Sequence, residues 1–173
     1  MATGTVILSP GAAILPDGSA SNAAPAMQRV KSSATAPGIY FLQLAFDAST
    51  EEWCSFQFRM PADYASAPVA VVQWKAASAT SGGAVWDVRV SAVTTGDSVD
   101  VDAKGFGSAN TATGTAPATA GYLVDTSVTL TNADSLAAGD FVVVRLARAA
   151  ADGSDTATGD AECVGLAITY VTT

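Results

Sequence analysis

The chain has 173 residues, of which 49% are hydrophobic and only 14% are charged, and its net charge is −8. A chain of this length buries enough apolar surface to fold without a disulfide or a metal ion. The negative charge argues against a nucleic-acid partner, because phosphate recognition needs clustered Lys and Arg. No apolar run reaches the roughly 20 residues of a membrane-spanning helix, and no signal peptide is recognised at the start.

Residues 1–38 are predicted to form an extended N-terminal arm. Proline and glycine recur from Pro10 to Gly38 at a density that interrupts both helix and strand. Two interpretations remain open: a flexible terminus, or an arm that becomes ordered on a neighbouring protein. Apolar side chains favour the second interpretation, since a pure linker has no need of them. These candidate interface residues are Val6, Ile7, Leu8, Ile14 and Leu15.

Residues 39–173 are predicted to form a β-sandwich domain, because apolar side chains recur at every second position and turn residues separate the runs. Eight strands are expected, at 39–46, 53–60, 69–76, 84–92, 99–106, 122–130, 140–148 and 162–171. Without an amphipathic helix, this pattern is typical of an all-β, eight-stranded antiparallel jelly-roll sandwich. An immunoglobulin-like sandwich is the alternative.

The strand assignment also leads to predictions for a long polar segment, the two cysteines and two tryptophans. Residues 107–120 are expected to be a loop that is disordered, makes a lateral contact or forms a receptor-binding tip. The strand phase places Cys54 inward and Cys163 outward, which predicts two reduced thiols. Trp74 and Trp86 fall on the inward phase.

Trp53 falls on the outward phase of its strand. Aromatic residues are enriched at protein interfaces, and Trp53 is therefore the sixth candidate interface residue.

The sequence contains no histidine, which removes the serine and cysteine triads that depend on it and the commonest metal ligand. Two groups of acidic residues, around 47–52 and 97–102, lie at predicted loops or strand ends, where solvated carboxylates are usual. The segment 152–155 lacks the full spacing of a calcium loop. We therefore expect no enzyme activity, no cofactor and no metal site.

Several segments resemble small β-sandwich proteins encoded among the structural genes of tailed bacteriophages. They are residues 58–64, 71–76, 83–88, 138–148 and 165–170. The resemblance implies a virion component, often a homotrimer. The absence of a long fibre repeat favours a capsid decoration (cement) protein of the jelly-roll type. The resemblance implies no catalytic or ligand-binding residue.

On this hypothesis the partner is the major capsid protein or another virion protein, without nucleic acid or membrane. The protein is made in the host cytoplasm and ends on the capsid surface. The alternative is a receptor- or glycan-binding module of a tail fibre or baseplate. A carbohydrate-active enzyme ranks last.

Overall fold

Ten β-strands are present in the computed structural model, which describes residues 2–19 and 21–173. The described residues form no helix long and apolar enough to cross a membrane, and two 3₁₀ turns lie at Pro10–Ala12 and Val101–Ala103. The strands are β1 Thr3–Leu8, β2 Ala26–Lys31, β3 Tyr40–Phe46, β4 Glu52–Arg59, β5 Tyr64–Ala76, β6 Gly83–Val93, β7 Asn110–Thr115, β8 Val124–Thr129, β9 Phe141–Arg148 and β10 Ala161–Thr172.

The strands form two antiparallel sheets. The larger sheet has the order β2-β3-β10-β5-β8, and β1 also pairs with β10. The smaller sheet has the order β4-β9-β6-β7. The predicted all-β antiparallel sandwich is confirmed, whereas the predicted number of eight strands is wrong.

Aromatic side chains from both sheets meet in the core. The ring of Trp86 packs edge-on against Phe46, with centroids 5.3 Å apart, and against Trp74, at 5.8 Å. The Trp74 Nε1 donates a hydrogen bond to Thr126 Oγ1 at 2.9 Å, which satisfies its buried N–H group. The inward phase predicted for Trp74 and Trp86 is confirmed, since both are fully buried.

A charged side chain also lies in this core. Arg148 is 0% exposed, and its guanidinium forms a bidentate pair with Asp155, with N···O distances of 3.0 and 2.7 Å. Its other N–H groups donate to the carbonyl oxygens of Phe46, Ala157 and Gly159. Each donor of the guanidinium thus has an acceptor, which is the condition for burying such a charge.

The segment predicted as a separate arm contributes two strands to the larger sheet, and this prediction is corrected. Strand β1 pairs with β10 from Thr3↔Val171 to Leu8↔Leu166, and β2 pairs with β3. Gly4 permits the first pairing, because a β-carbon there would overlap the ring of Tyr170. The partners of β1 are about 160 residues away in the sequence, so local residue patterns did not reveal the pairing.

Two neighbouring assignments are also wrong. The strand predicted at 99–106 is a loop with one 3₁₀ turn, in which Asp100 Oδ1 accepts a hydrogen bond from the Asp102 amide at 3.1 Å. The predicted loop 107–120 contains β7, which pairs with β6 from Gly83↔Thr115 to Val88↔Asn110. Strand β7 consists mainly of threonine and other small residues, so it lacks the apolar alternation of the other strands.

The outward position predicted for Cys163 is wrong, because it is buried in the core like Cys54. Strand β10 has a register shift between Cys163 and Gly165. This β-bulge inserts one residue and changes the phase, so that Cys163 and Leu166 both point inward. Both cysteines are free thiols. Burial raises the pKa of both, that of Cys163 to about 12.

Deletion of residues 1–38 is expected to destabilise the sandwich, because it removes two strands and exposes the edges of β3 and β10. Thermal unfolding followed by far-UV circular dichroism should show a much lower midpoint or no cooperative transition. The control Thr5→Ala, at an exposed position of β1, should melt like the parent. A truncated chain with the parent's midpoint would show that β1 and β2 contribute little.

The substitution Arg148→Met is expected to lower the free energy of unfolding by about 3–5 kcal/mol, because it leaves Asp155 charged and buried without its partner. Urea denaturation gives this value. The matched control is Arg59→Met, whose exposed guanidinium makes one hydrogen bond, to the Gly139 carbonyl oxygen. Equal urea midpoints for both variants would contradict a structural role of the Arg148–Asp155 pair.

Both thiols are expected to react slowly with Ellman's reagent at pH 8 in the native protein, because they are buried and their pKa is raised. In denaturant the reagent should titrate two thiols per chain, and the Cys54→Ala variant should give one. Rapid reaction of the native protein would show that one side chain is accessible.

Candidate functional site

Trp53 lies on the outer face of the smaller sheet and is half-buried there. Its Nε1 donates to the Ser21 carbonyl oxygen at 3.1 Å. The Arg145 guanidinium carbon lies 5.4 Å from the centre of its ring, and the ring of Phe106 lies 6.5 Å away. Trp53 therefore packs against residues of its own chain, and its role as an interface anchor stays a prediction.

Arg145 belongs to a charged network under this tryptophan. It donates to Asp87 Oδ2 at 3.0 Å and to Glu51 Oε1 at 2.7 Å. Arg89 donates to the same Asp87 carboxylate at 2.8 Å, and this hydrogen bond raises the pKa of Arg89. The Asp87 carboxylate thus accepts hydrogen bonds from two guanidinium groups and ties Arg89 to Arg145.

The other predicted interface residues do not form one surface. Leu8 is buried in its own core and Val6 packs against that core, so neither is available to a neighbour. Ile7 is exposed on the larger sheet. Ile14 and Leu15 are partly exposed beside the smaller sheet, where the backbone of Ile14 bridges to Ser55 of β4.

The acidic groups considered in the sequence have local structural roles. Asp47 Oδ1 accepts hydrogen bonds from Ser49 and Thr50, which lower its pKa to about 2. Asp152 Oδ1 accepts the Ser154 amide, and Asp155 is paired with Arg148. The described residues contain no group of three or more metal-binding side chains that could hold an ion.

A groove crosses the outer face of the larger sheet and is the strongest candidate site. It consists of two adjoining hollows of about 400 and 230 Å³, and Gln73 of β5 lines both. The first hollow is lined by Phe41, Leu42, Gln73, Lys75, Gly121, Leu123 and Val164. The second is lined by Ile7, Val71, Gln73, Asp125, Gly165, Leu166 and Ala167.

The polar side chains of the groove are already oriented by one another. Gln73 Nε2 donates to Asp125 Oδ1 at 3.2 Å, between the neighbouring strands β5 and β8. Lys75 forms an ion pair with Glu162, whose other oxygen accepts a hydrogen bond from Gln43 Nε2 at 2.7 Å. Such mutual hydrogen bonds fix side chains before a ligand arrives, which lowers the entropic cost of binding.

Gln43 is buried beside the groove. Its Nε2 donates to Glu162 and to Gln28, both at 2.7 Å. Its Oε1 is buried and has no hydrogen-bond partner among the described residues. Exchanging the amide atoms would place an oxygen against the two acceptor oxygens, so the observed orientation is the favourable one. Strand β3 therefore places the Gln43 Oε1 beside the groove as a buried acceptor without a partner among the described residues.

The groove is not visible in the sequence, because the alternation of apolar residues marks only the inward phase of each strand. Phe41, Gln73 and Lys75 occupy the opposite phase, where polar and apolar residues mix without a pattern. Val164 was predicted to point inward, which is wrong: the bulge between Cys163 and Gly165 turns it toward the groove. One indication was available: glutamine and lysine face outward at Gln73 and Lys75, on either side of the inward Trp74. Strand order, which brings β3, β10 and β5 together, was not accessible from one sequence.

The comparisons with known proteins give structural similarities only. No family model and no curated protein matches this chain. Among solved structures, the C-terminal CBM6 of a marine laminarinase from Zobellia galactanivorans is 12% identical, with a TM-score of 0.47, over 96% of this chain and 99% of that one.

Two further carbohydrate-binding modules are similar at the same level. CBM27-1 of Caldicellulosiruptor saccharolyticus, solved with mannohexaose, is 10% identical, with a TM-score of 0.44, over 95% of this chain and 96% of that one. The module CBM6cm-2 of Cellvibrio mixtus lichenase 5A, solved with cellotriose, is 12% identical, with a TM-score of 0.40, over 97% and 98%. At these identities and TM-scores, none assigns a ligand to this chain.

Proposed function

We propose that this protein is a non-catalytic binding module whose groove on the larger sheet holds a segment of a carbohydrate chain. The observation that carries the proposal is the pair of adjoining hollows that share Gln73. An elongated groove with apolar walls and a few oriented polar groups is the usual form of a ligand site.

The chemistry of the lining fits sugar rings. Apolar walls at Phe41, Leu123 and Val164 match the C–H faces of a pyranose. Planar polar groups at Gln73 and Asp125 match its hydroxyls, because an amide both donates and accepts hydrogen bonds and a carboxylate oxygen accepts more than one.

The charge of the groove selects among carbohydrates. The charges of Lys75 and Glu162 compensate each other, so that Asp125 leaves the groove with a net negative charge. The whole chain, including the groove, has a net charge of −8. Acidic polysaccharides are repelled by this field, and the expected ligand is a neutral glycan.

The contacts of the carboxylates at the groove support binding without hydrolysis. Glycoside hydrolysis needs an acid and a base that are free to exchange protons across the bond. Glu162 is held by Lys75 and Gln43, and Asp125 accepts from Gln73. These contacts suit carboxylates that position a ligand, and they support a module that binds only.

A structural role on a bacteriophage virion is the second proposal. The observation that favours it is a set of exposed apolar side chains outside the groove, including Ile39 and Tyr40, which are 68% and 59% exposed. Surfaces of this kind serve protein contacts. A decoration protein would bind assembled capsids and would not need the groove.

The double variant Gln73→Ala/Asp125→Ala is expected to weaken glycan binding by about thirtyfold, since two lost hydrogen bonds of about 1 kcal/mol each cost about 2 kcal/mol together. Affinity electrophoresis in gels containing β-glucan, mannan or xylan identifies a retarding polymer, and isothermal titration with its oligosaccharide gives the affinity. Polygalacturonate, an acidic polymer, should not retard the protein.

The matched control is Thr129→Ala, which alters an exposed residue of β8 outside the groove. It should bind as the parent does. Unretarded migration of the parent in all the neutral polymers would refute the proposal, as would equal affinities for the parent and the double variant. Sedimentation with bare capsids tests the second proposal separately.

A further inference from the structure

The hairpin of β2 and β3 extends beyond the sandwich. Strand β2 pairs with β3 along its full length, from Ala26↔Ala45 to Lys31↔Tyr40. Strand β3 pairs with β10 only between Leu44 and Phe46, however, because β1 takes over that edge of β10 from Leu166 onward. The end of the hairpin, residues 28–43, is therefore a two-stranded ribbon beside the main sheet.

This ribbon exposes apolar side chains that are normally covered. Ile39 and Tyr40 lie at its tip, Leu42 is partly exposed along it, and Met27 is partly exposed just before it on β2. A two-stranded hairpin is marginally stable alone, and an uncovered apolar edge is a site of association. The Tyr40 ring lies under Lys31, whose Nζ is 5.9 Å from its centre, so the tip combines an aromatic surface with a positive charge.

The charge of the hairpin is opposite to that of the rest of the chain. Residues 26–46 contain Arg29 and Lys31 and no carboxylate, which gives them a charge of +2. The whole chain has a charge of −8, so the remaining residues carry −10. A basic and apolar projection on an acidic body is electrostatically complementary to the body of a second copy.

A complementary surface exists on the smaller sheet. The segment 97–102 alternates exposed acids with exposed valines: Asp97, Val99, Asp100, Val101 and Asp102. Beside it lies a hollow of about 140 Å³, whose apolar lining includes Val101, Phe106, Phe141 and Val143. A hollow of this size accommodates one large apolar side chain, and the acidic segment lies at its rim.

We propose that the tip of the hairpin in one copy docks on the 97–102 segment of a second copy. Ile39 or Tyr40 enters the hollow, and Arg29 and Lys31 face the carboxylates at its rim. The two surfaces belong to opposite sheets, so the contact is heterologous: each copy gives a hairpin to one neighbour and receives one from another. Repetition of such a contact generates a ring or a filament.

This proposal is independent of the glycan site and has its own test. Light scattering coupled to gel filtration, run over a range of protein concentrations, should show a mass above that of the monomer that rises with concentration. Ile39→Ser and Lys31→Glu should each raise the dissociation constant at least about tenfold, because they remove an anchor or oppose charges of one sign. Circular dichroism should show unchanged folding, since both positions are exposed.

A charge-swap variant distinguishes this contact from nonspecific self-association. Asp100→Lys alone should weaken association, whereas Lys31→Glu/Asp100→Lys should restore it, because the two reversed charges attract again. The matched control is Asp152→Lys, which reverses an exposed charge in the turn after β9, at the opposite end of that strand from Phe141. A monomeric parent at all concentrations overturns the proposal, and the hairpin would then serve a different acidic protein. Failure of the double variant to recover also overturns it.

Discussion

The ion pair between Arg148 and Asp155 holds together the parts of the sandwich that hydrophobic packing alone does not align. Arg148 comes from β9 of the smaller sheet, but one of its hydrogen bonds reaches the Phe46 carbonyl at the end of β3 in the larger sheet. Asp155 also accepts the Val85 amide of β6. A charge in the core is tolerated only with a full set of partners, and this requirement fixes the relative positions of the strand ends that supply them.

The same constraint extends to the candidate site. The 149–160 loop is held through the carbonyl oxygens of Ala157 and Gly159 and leads directly into β10, where Glu162 pairs with Lys75 of the groove. Phe46 ends β3, the strand that brings Phe41 and Gln43 to the same face. The buried pair thus determines where two of the strands around the groove run, although none of its atoms lies in it.

The sequence predicted well those strands whose large apolar residues alternate. Strands β4, β6 and β9 were found with their inward phases, because burial of one face imposes a period of two. Strand β1 was missed because its partner β10 is about 160 residues away. Strands β2 and β7 were missed because they contain mainly small or polar residues. The phase of Cys163 failed at a bulge, which a regular period cannot represent. The groove could not be predicted for a related reason: its residues share a face only because of the order of the strands in the sheet, which the sequence does not reveal.

The pairing of β1 with β10 has a mechanical consequence. Thr3 and Val171 face each other in an antiparallel ladder, so the outer ends of the two strands emerge at the same end of the sheet. A force that draws these ends apart acts across the ladder and loads its hydrogen bonds one after another. Such a ladder opens as a zipper at low force, whereas β10 remains attached to β5 on its other edge. Tension would thus release β1 first and expose the part of the Tyr170 ring that packs on Gly4. The two sheets would stay stacked.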